Sequence, residues 1–208
     1  MPEVLSTRAL NRALLARQHL LARSRGTIEE VLESIGGLQT QYAPAGYIGL
    51  WSRLEGFERA DLTEALEARR VIQGTLMRAT IHMVSAADYW PMEVGVRDAR
   101  REWWLRAARS QYAAMDPEAV TRAIQRELAS GPLRQKELSR RLAEAGSGGP
   151  QAGFNILVDL VRVPPSGTWD QRRADLYGLA ADWLEPPRKL TERDGLELLT
   201  RRYLGGFG

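Results

Sequence analysis

Apolar residues fall at helical spacing from the start of the chain. Leu10, Ala13, Leu14, Arg17, Leu20 and Leu21 trace one stripe with a single polar break, and Ser6 or Thr7 stands where a cap belongs. Gly26 ends the connection. Thr27 and Glu30 then have capping-box spacing, which predicts a second helix through Ile35, stopped by Gly36-Gly37. Pro44 opens a third helix with Ile48, Leu50, Trp51 and Leu54 as apolar positions. Asp61 starts a fourth, through Leu62, Ala65 and Leu66 to Arg70.

The period then changes. Met77, Ala79, Ile81 and Met83 alternate with Arg78, Thr80 and His82, the pattern of a half-buried strand, and Val71-Ile72-Gln73 with Gly74 as a turn residue supplies its partner. Two helices followed by a β-hairpin is the layout of a winged helix-turn-helix.

The same order recurs downstream. A long helix from about Pro91 to Arg109 leads to Asp116-Pro117-Glu118, a strong helix start, and that helix runs to about Ser130. Another spans Arg134 to Ala145. Pro150 opens a further one with Phe154, Leu157, Val158 and Val161 inward. Strands are expected at Thr168-Trp169 and at Leu176-Tyr177-Gly178-Leu179, with Gln171-Arg172-Arg173 near the wing tip. After Pro186-Pro187, Thr191 to Leu204 reads as the first helix of a third module, which the chain leaves incomplete. The expected organisation is a first winged helix with its N-terminal helices over 1–90, a connecting helix over 91–115, a second winged helix over 116–185, and a linker with the start of a third module over 186–208. The fold class is mainly α with small β-hairpins, in tandem winged helix-turn-helix modules.

Composition narrows the function. The 208 residues are 44% hydrophobic and 26% charged, an ordinary globular balance. Arg or Glu interrupts every candidate membrane span, and Met1 to Leu5 lacks a secretory layout, so a cytoplasmic, nucleoid-associated protein is the expectation. Zero cysteines exclude disulfides and thiolate chemistry. The two histidines, His19 and His82, are far apart, so neither a metal site nor a cofactor is expected. There is no GxGxxG before a helix, no P-loop and no GxSxG elbow. Net charge is +3, and all but Lys136 and Lys189 of the 29 basic side chains are arginine. Arginine suits phosphates and guanine edges, while GC-rich coding would produce the same bias.

Gln39 and Gln41 are the candidates for chemistry. In an extended segment, positions two apart face one side; in a helix they diverge by about 200°. Neutral amides are poor acids and bases, yet they suit a reaction whose leaving group needs no protonation, where water must be oriented and positive charge on a sugar stabilised. An N7-alkylated purine fits, since it leaves as a neutral base. The alternative makes them turn glutamines bonded to nearby backbone. Arg78, Thr80 and His82 on the hairpin's polar face either contact DNA or form a solvated strand face. Arg97, Arg100, Arg101, Arg106 and Arg109 beside Trp103 and Trp104 either follow a nucleic-acid backbone or belong to a connector with Glu93–Arg97 and Glu102–Arg106 pairs. In the second winged helix, Gln151 and Asn155 sit where a reading helix meets bases, and Arg172 and Arg173 where a wing meets phosphate.

Gly37-Leu38-Gln39-Thr40-Gln41-Tyr42-Ala43-Pro44, Leu50-Trp51-Ser52-Arg53-Leu54 and Thr75 to His82, with Pro164 to Trp169 and Arg173 to Gly178 downstream, resemble the winged-helix family containing the AlkZ/YcaQ-like bacterial DNA glycosylases. The resemblance implies tandem winged helices forming a C-shaped clamp on duplex DNA, alkylated or cross-linked, and excision of N7-alkylated purines. It also implies a catalytic pattern of Gln, a usually aliphatic residue, then Gln or Asp. Gln39 and Gln41 match the outer positions, and Thr40 departs in the middle, a mild departure if its side chain only packs. The hairpin from Arg78 to His82 matches the element that approaches DNA at the family's active site. A non-catalytic winged-helix regulator and a protein-binding scaffold are the competing expectations.

Overall fold

The computed structural model describes residues 4–107, 116–147 and 153–208. Helix α1 spans Thr7–Arg17, with the Ala9 N–H donating to the Ser6 hydroxyl at 3.2 Å. Helix α2, Ile28–Ile35, has the reciprocal cap read from the sequence: Glu30 N–H reaches Thr27 Oγ1 at 3.1 Å, and Thr27 N–H reaches Glu30 Oε2 at 2.8 Å. Strand β1 (Leu38–Gln39), helices α3 (Ala43–Trp51) and α4 (Arg59–Glu67) and strands β2 (Val71–Thr75) and β3 (Ile81–Ser85) complete a winged helix. After helix α5 (Ala86–Ala107) the order repeats: α6 (Pro117–Leu128), β4 (Leu133–Arg134), α7 (Gln135–Glu144), α8 (Phe154–Leu157), β5 (Leu160–Arg162), β6 (Leu176–Leu179). Short α9 (Ala180–Trp183) and long α10 (Glu192–Phe207) follow.

The two modules share one antiparallel sheet of six strands, in the order β1-β3-β2-β5-β6-β4. Each module contributes its strands in mirrored sequence, so the sheet reads alike from either end. The seam is the β2–β5 pairing, where Gly74 faces Val161. Gly74 is needed there: a Cβ would lie 2.7 Å from the Tyr89 ring.

Strand alternation sorts the core into layers. One sheet face carries Val71, Met83 and Leu38, packed beneath α2, α3 and α4, and Leu160, Tyr177 and Leu133, packed beneath α6, α7 and α8. The opposite face carries Ile72, Val84, Val161 and Leu176 and meets α5, α9 and α10 through Tyr89, Trp90, Met92, Leu198 and Leu199. Helix layers on both faces explain why β2 and β3 are buried at every position.

Several expectations need correction. The alternation from Met77 to Met83 is not one strand: Met77–Ala79 form a 3-10 turn with Arg78 and Ala79 at φ 55° and 54°, and β3 begins only at Ile81. The hairpin must reverse within Leu76 to Thr80, which leaves these residues no strand geometry. His82 accordingly lies buried rather than on a solvated face. Of the helix expected from Pro150 through Val161, the described residues are helical over Phe154–Leu157; Val161 belongs to β5, drawn into the sheet by β2. Thr168-Trp169 lie in the wing loop, not a strand. Helix α5 begins at Ala86, its Asp88 N–H capped by the Ser85 hydroxyl at 3.2 Å, and Pro91 sits inside it. Helix α1 ends at Arg17, before Leu20 and Leu21, and buries no residue. Ile48 and Trp51 of α3 face solvent while Tyr47 and Leu50 face the core. Helix α10 packs along α5 and against α2 and α1. Leu198 and Leu199 meet the core, and Tyr203 remains exposed.

Two devices lock the modules together. The wing of the second reaches the first, where Trp169 meets Tyr47 edge-on at 5.7 Å beneath the guanidinium of Arg59. On the other face Glu93 and Arg100 form a buried bidentate pair (2.5 and 3.0 Å), Arg100 also donates to the Thr75 carbonyl, and Arg97 clamps Asp159 at 2.6 and 3.1 Å. With Arg106 on Glu102 and Arg101 on Glu118, these arginines of α5 are committed to internal partners; Arg109 lies outside the described residues.

Truncating Trp169→Ala should cost about 2–4 kcal/mol in chemical denaturation, the scale of a partly buried aromatic; a loss below about 1 kcal/mol would show that wing docking does little. Burial pushes the Glu93 carboxyl up to about 7 despite Arg100. A raised carboxyl contributes stability below its unfolded range, and that contribution fades as pH climbs through the folded value. Glu93→Gln should therefore flatten the curve of Tm against pH: its deficit relative to the parent is largest near pH 5 and shrinks toward pH 8.

Candidate active-site cleft

The cleft forms because Gly36 and Gly37 turn the chain sharply from α2 into β1. Both have positive φ (73° and 84°), and a Cβ on Gly37 would sit 2.8 Å from Val84. Strand β1 then lies at the edge of the sheet, with Gln39 opposite His82. The Thr40 N–H donates to the Ile81 carbonyl at 2.8 Å and extends the ladder by one residue. Side chains therefore alternate: Gln39 and Gln41 are exposed, and Thr40 is buried on the other face against Gly46.

The two amides are held differently. Gln41 Oε1 accepts the Ile81 N–H at 3.2 Å, a bond of the kind a turn glutamine makes. Gln39 Oε1 faces Arg78 Nη2 at 3.5 Å, the outer limit of a hydrogen bond, and its amide opens into a cleft of about 420 Å³. Arg78, Met77 and His82 line that cleft from the hairpin, Gln18 and Met92 from α1's end and α5, and Leu199, Arg202, Tyr203 and Phe207 from α10.

His82 Nδ1 lies 3.0 Å from the Thr80 carbonyl, so that nitrogen carries the proton and Nε2 is left as an acceptor. Burial lowers the pKa of the ring, the Thr80 carbonyl opposes that shift, and the nearby Arg78 charge adds to it. The ring is thus biased toward its neutral form. Arg162 of β5 reaches beneath the site: buried, it donates from Nη1 to the Thr40 carbonyl at 3.2 Å. The second module thereby grips the peptide between the two glutamines.

The remaining expected residues lie in the second module. Asn155 is half-buried on α8, Arg172 packs over Trp169 at 5.3 Å, and Arg173 pairs with Asp175 at 2.6 Å. Gln151 lies outside the described residues. Arg173 also borders an open groove of about 770 Å³ with Arg134, Lys136 and Arg140. The structure thus brings Gln39, Arg78 and His82 together, with Gln41 and Thr80 alongside, and leaves Asn155, Arg172 and Arg173 apart from them. Sequence reasoning missed Gln18, Arg162, Arg202, Tyr203 and Phe207. Only the i, i+4, i+8 spacing of Leu199, Tyr203 and Phe207 offers a signal, an apolar ridge along one side of a helix. Among the described residues, no group of three or more His, Asp or Glu side chains is arranged to hold a metal ion, and no helix is long and apolar enough to cross a membrane.

The model of the AlkZ-like DNA glycosylases matches residues 32–208, and the chain belongs to that family. Among solved structures, the Streptomyces sahachiroi DNA glycosylase AlkZ superposes with a TM-score of 0.75 at 18% identity, over 99% of this chain and 58% of that one. The chain therefore spans little more than half the length of that relative, and the likeness extends to the tandem winged-helix fold. Direct comparison with curated protein sequences gives no match.

Thr40 gives a sharp test of the local geometry. Its hydroxyl is buried without a protein partner, and its methyl packs on Gly46. The isosteric Thr40→Val should keep the fold and stabilise the protein by about 1 kcal/mol in chemical denaturation, by removing a buried polar group. A destabilisation above about 1 kcal/mol would mean the hydroxyl is satisfied.

Proposed function

We propose that the protein is a DNA repair glycosylase that hydrolyses the N-glycosidic bond of N7-alkylated purines in duplex DNA, cross-linked duplex included, and so works at the nucleoid. The observation that carries this reading is the Gln39 amide, open to a cleft it shares with Arg78 and a neutral-leaning His82, in a chain of this family. An N7-alkylated purine is already a cation. When the C1′–N9 bond breaks, the electron pair leaves with the base, which departs neutral and needs no general acid. Water bonds to C1′ and loses its proton to solvent.

The tasks left to the protein are orientation and electrostatics. Gln39 and Gln41 are the catalytic residues of the proposal. Their carbonyl dipoles orient the water and stabilise positive charge developing on the sugar. Exposed Arg78, with no carboxylate in ion-pair reach among the described residues, meets a backbone phosphate at the cleft rim, next to Thr80 and His82. Gln151, Asn155, Arg172 and Arg173 extend the DNA contact over the second module.

The bond from the Ile81 N–H to Gln41 Oε1 favours the other reading, a non-catalytic winged-helix DNA-binding regulator. Base release separates the two. The parent should free N7-methylguanine from methylated duplex DNA, and Gln39→Ala/Gln41→Ala should lower the rate at least about 100-fold while remaining folded and DNA-bound. Release that survives the double substitution would remove the glutamines from the chemistry. No release of N7-methylguanine or a bulkier N7-alkylguanine by a DNA-binding parent would leave the regulator.

A further inference from the structure

Helix α10 presents two ridges of apolar side chains, and they differ in one respect. Leu196 and Leu204 border an open surface trough. Leu199, Tyr203 and Phe207, spaced by four residues, line the cleft that holds Gln39 and His82. Leu199 packs into the core at the cleft's base, while Tyr203 and Phe207 stay 61% and 47% exposed. The two rings are stacked, with centroids 5.1 Å apart and planes 25° from parallel.

These exposed rings sit on a helix that is firmly held. Gly95 and Gly195 let α5 and α10 cross so closely that a Cβ on Gly95 would lie 2.7 Å from the Gly195 backbone. Arg202, immediately before the first ring in sequence, grips Asp88 through two bonds (2.8 and 2.9 Å) and Glu33 at 2.9 Å. Gln18 Nε2 donates to the Gly206 carbonyl at 2.9 Å. An aromatic pair fixed in place and left open to a cleft is a preorganised surface for a flat ligand. Of the two charged side chains that line the cleft, Arg78 stands at the hairpin and Arg202 has its charge offset by Asp88 and Glu33, so the wall beside the rings is left to their negative faces, which attract a cation.

We propose that Tyr203 and Phe207 form the receptor for the positively charged alkylpurine, selecting it over neutral purines by cation–π attraction. This rests on the glycosylase reading, since that reading places the reacting nucleotide at Gln39. The volume suits the ligand: about 420 Å³ falls within the roughly 300–1,000 Å³ usual for small-molecule sites. Selection by charge would act before bond cleavage, in the affinity for the damaged base.

The test is a binding comparison that needs no turnover. Two duplexes are prepared, one with N7-methylguanine and the other with its uncharged isostere 7-methyl-7-deazaguanine, each on a 2′-fluorinated sugar that slows base loss. The parent should bind the cationic duplex about 2- to 30-fold more tightly. Tyr203→Leu/Phe207→Leu keeps the apolar ridge without the rings and should bind both duplexes equally, with an unchanged circular dichroism spectrum. Tyr203→Trp should retain the preference, as should Leu204→Ser on the other ridge. A parent with no preference, or a leucine variant that keeps it, overturns the receptor. If that parent still releases N7-methylguanine, the glycosylase reading survives its loss. A preference abolished by the leucines in a parent that releases no base upholds the receptor and leaves the hydrolysis without support.

Discussion

The structure depends on a single antiparallel seam. Where Gly74 of one winged helix meets Val161 of the other, two three-stranded sheets become one, and the modules cannot hinge about a linker as beads on a string would. The close approach has two requirements: a strand position without a side chain, and a Tyr89 ring to fill the space above it. Once the seam is made, Arg162 comes to lie under the glutamine segment and Trp169 against Tyr47, neither of which an isolated first module could supply. The cleft residues belong mainly to the first module and α10, but their backbone is braced by the second.

The same seam explains the uneven polarity of the interior. On the face where the two helical cores meet, Thr40, Gln73, Thr75 and Arg162 are buried beside apolar neighbours. A junction between two separately patterned cores has no reason to be apolar throughout, and the arginine there binds a backbone carbonyl rather than an acid. The opposite face relies on the carboxylate–guanidinium cluster of Glu93, Arg97, Arg100 and Asp159 to tie α5 to β5. Such groups bring orientation more than net stability, because desolvation offsets much of their attraction.

Local signals were legible in the sequence where they are self-contained. The Thr27–Glu30 box, the Gly36-Gly37 stop, Asp116 at the start of α6 and Thr191 at the start of α10 all encode their own geometry within four residues. What could not be read were features decided by distant partners. Val158 to Arg162 are compatible with helix or strand until β2 is available to pair with them, and an alternating run such as Met77 to Met83 cannot reveal that a five-residue reversal interrupts it. The sequence leaves the segment of Gln39 and Gln41 open between extended and helical, and only the fold makes it extended and distinguishes the amide that opens into the cleft from the one tied to Ile81. The far end of the chain was the hardest part: α10 carries a well-formed cap, and nothing in its own residues says that it folds back along α5 and α2.

The Gly95–Gly195 crossing acts as the fulcrum of a lever. Tyr203 lies eight residues beyond it, about 12 Å along the helix. A methyl group added at either glycine would lift α10 off α5 near the pivot and widen the gap opposite Gln39 without changing any residue that lines the cleft. The aperture of the cleft is thus set remotely, by two absent side chains, and can change in small steps while the residues around Gln39 stay the same.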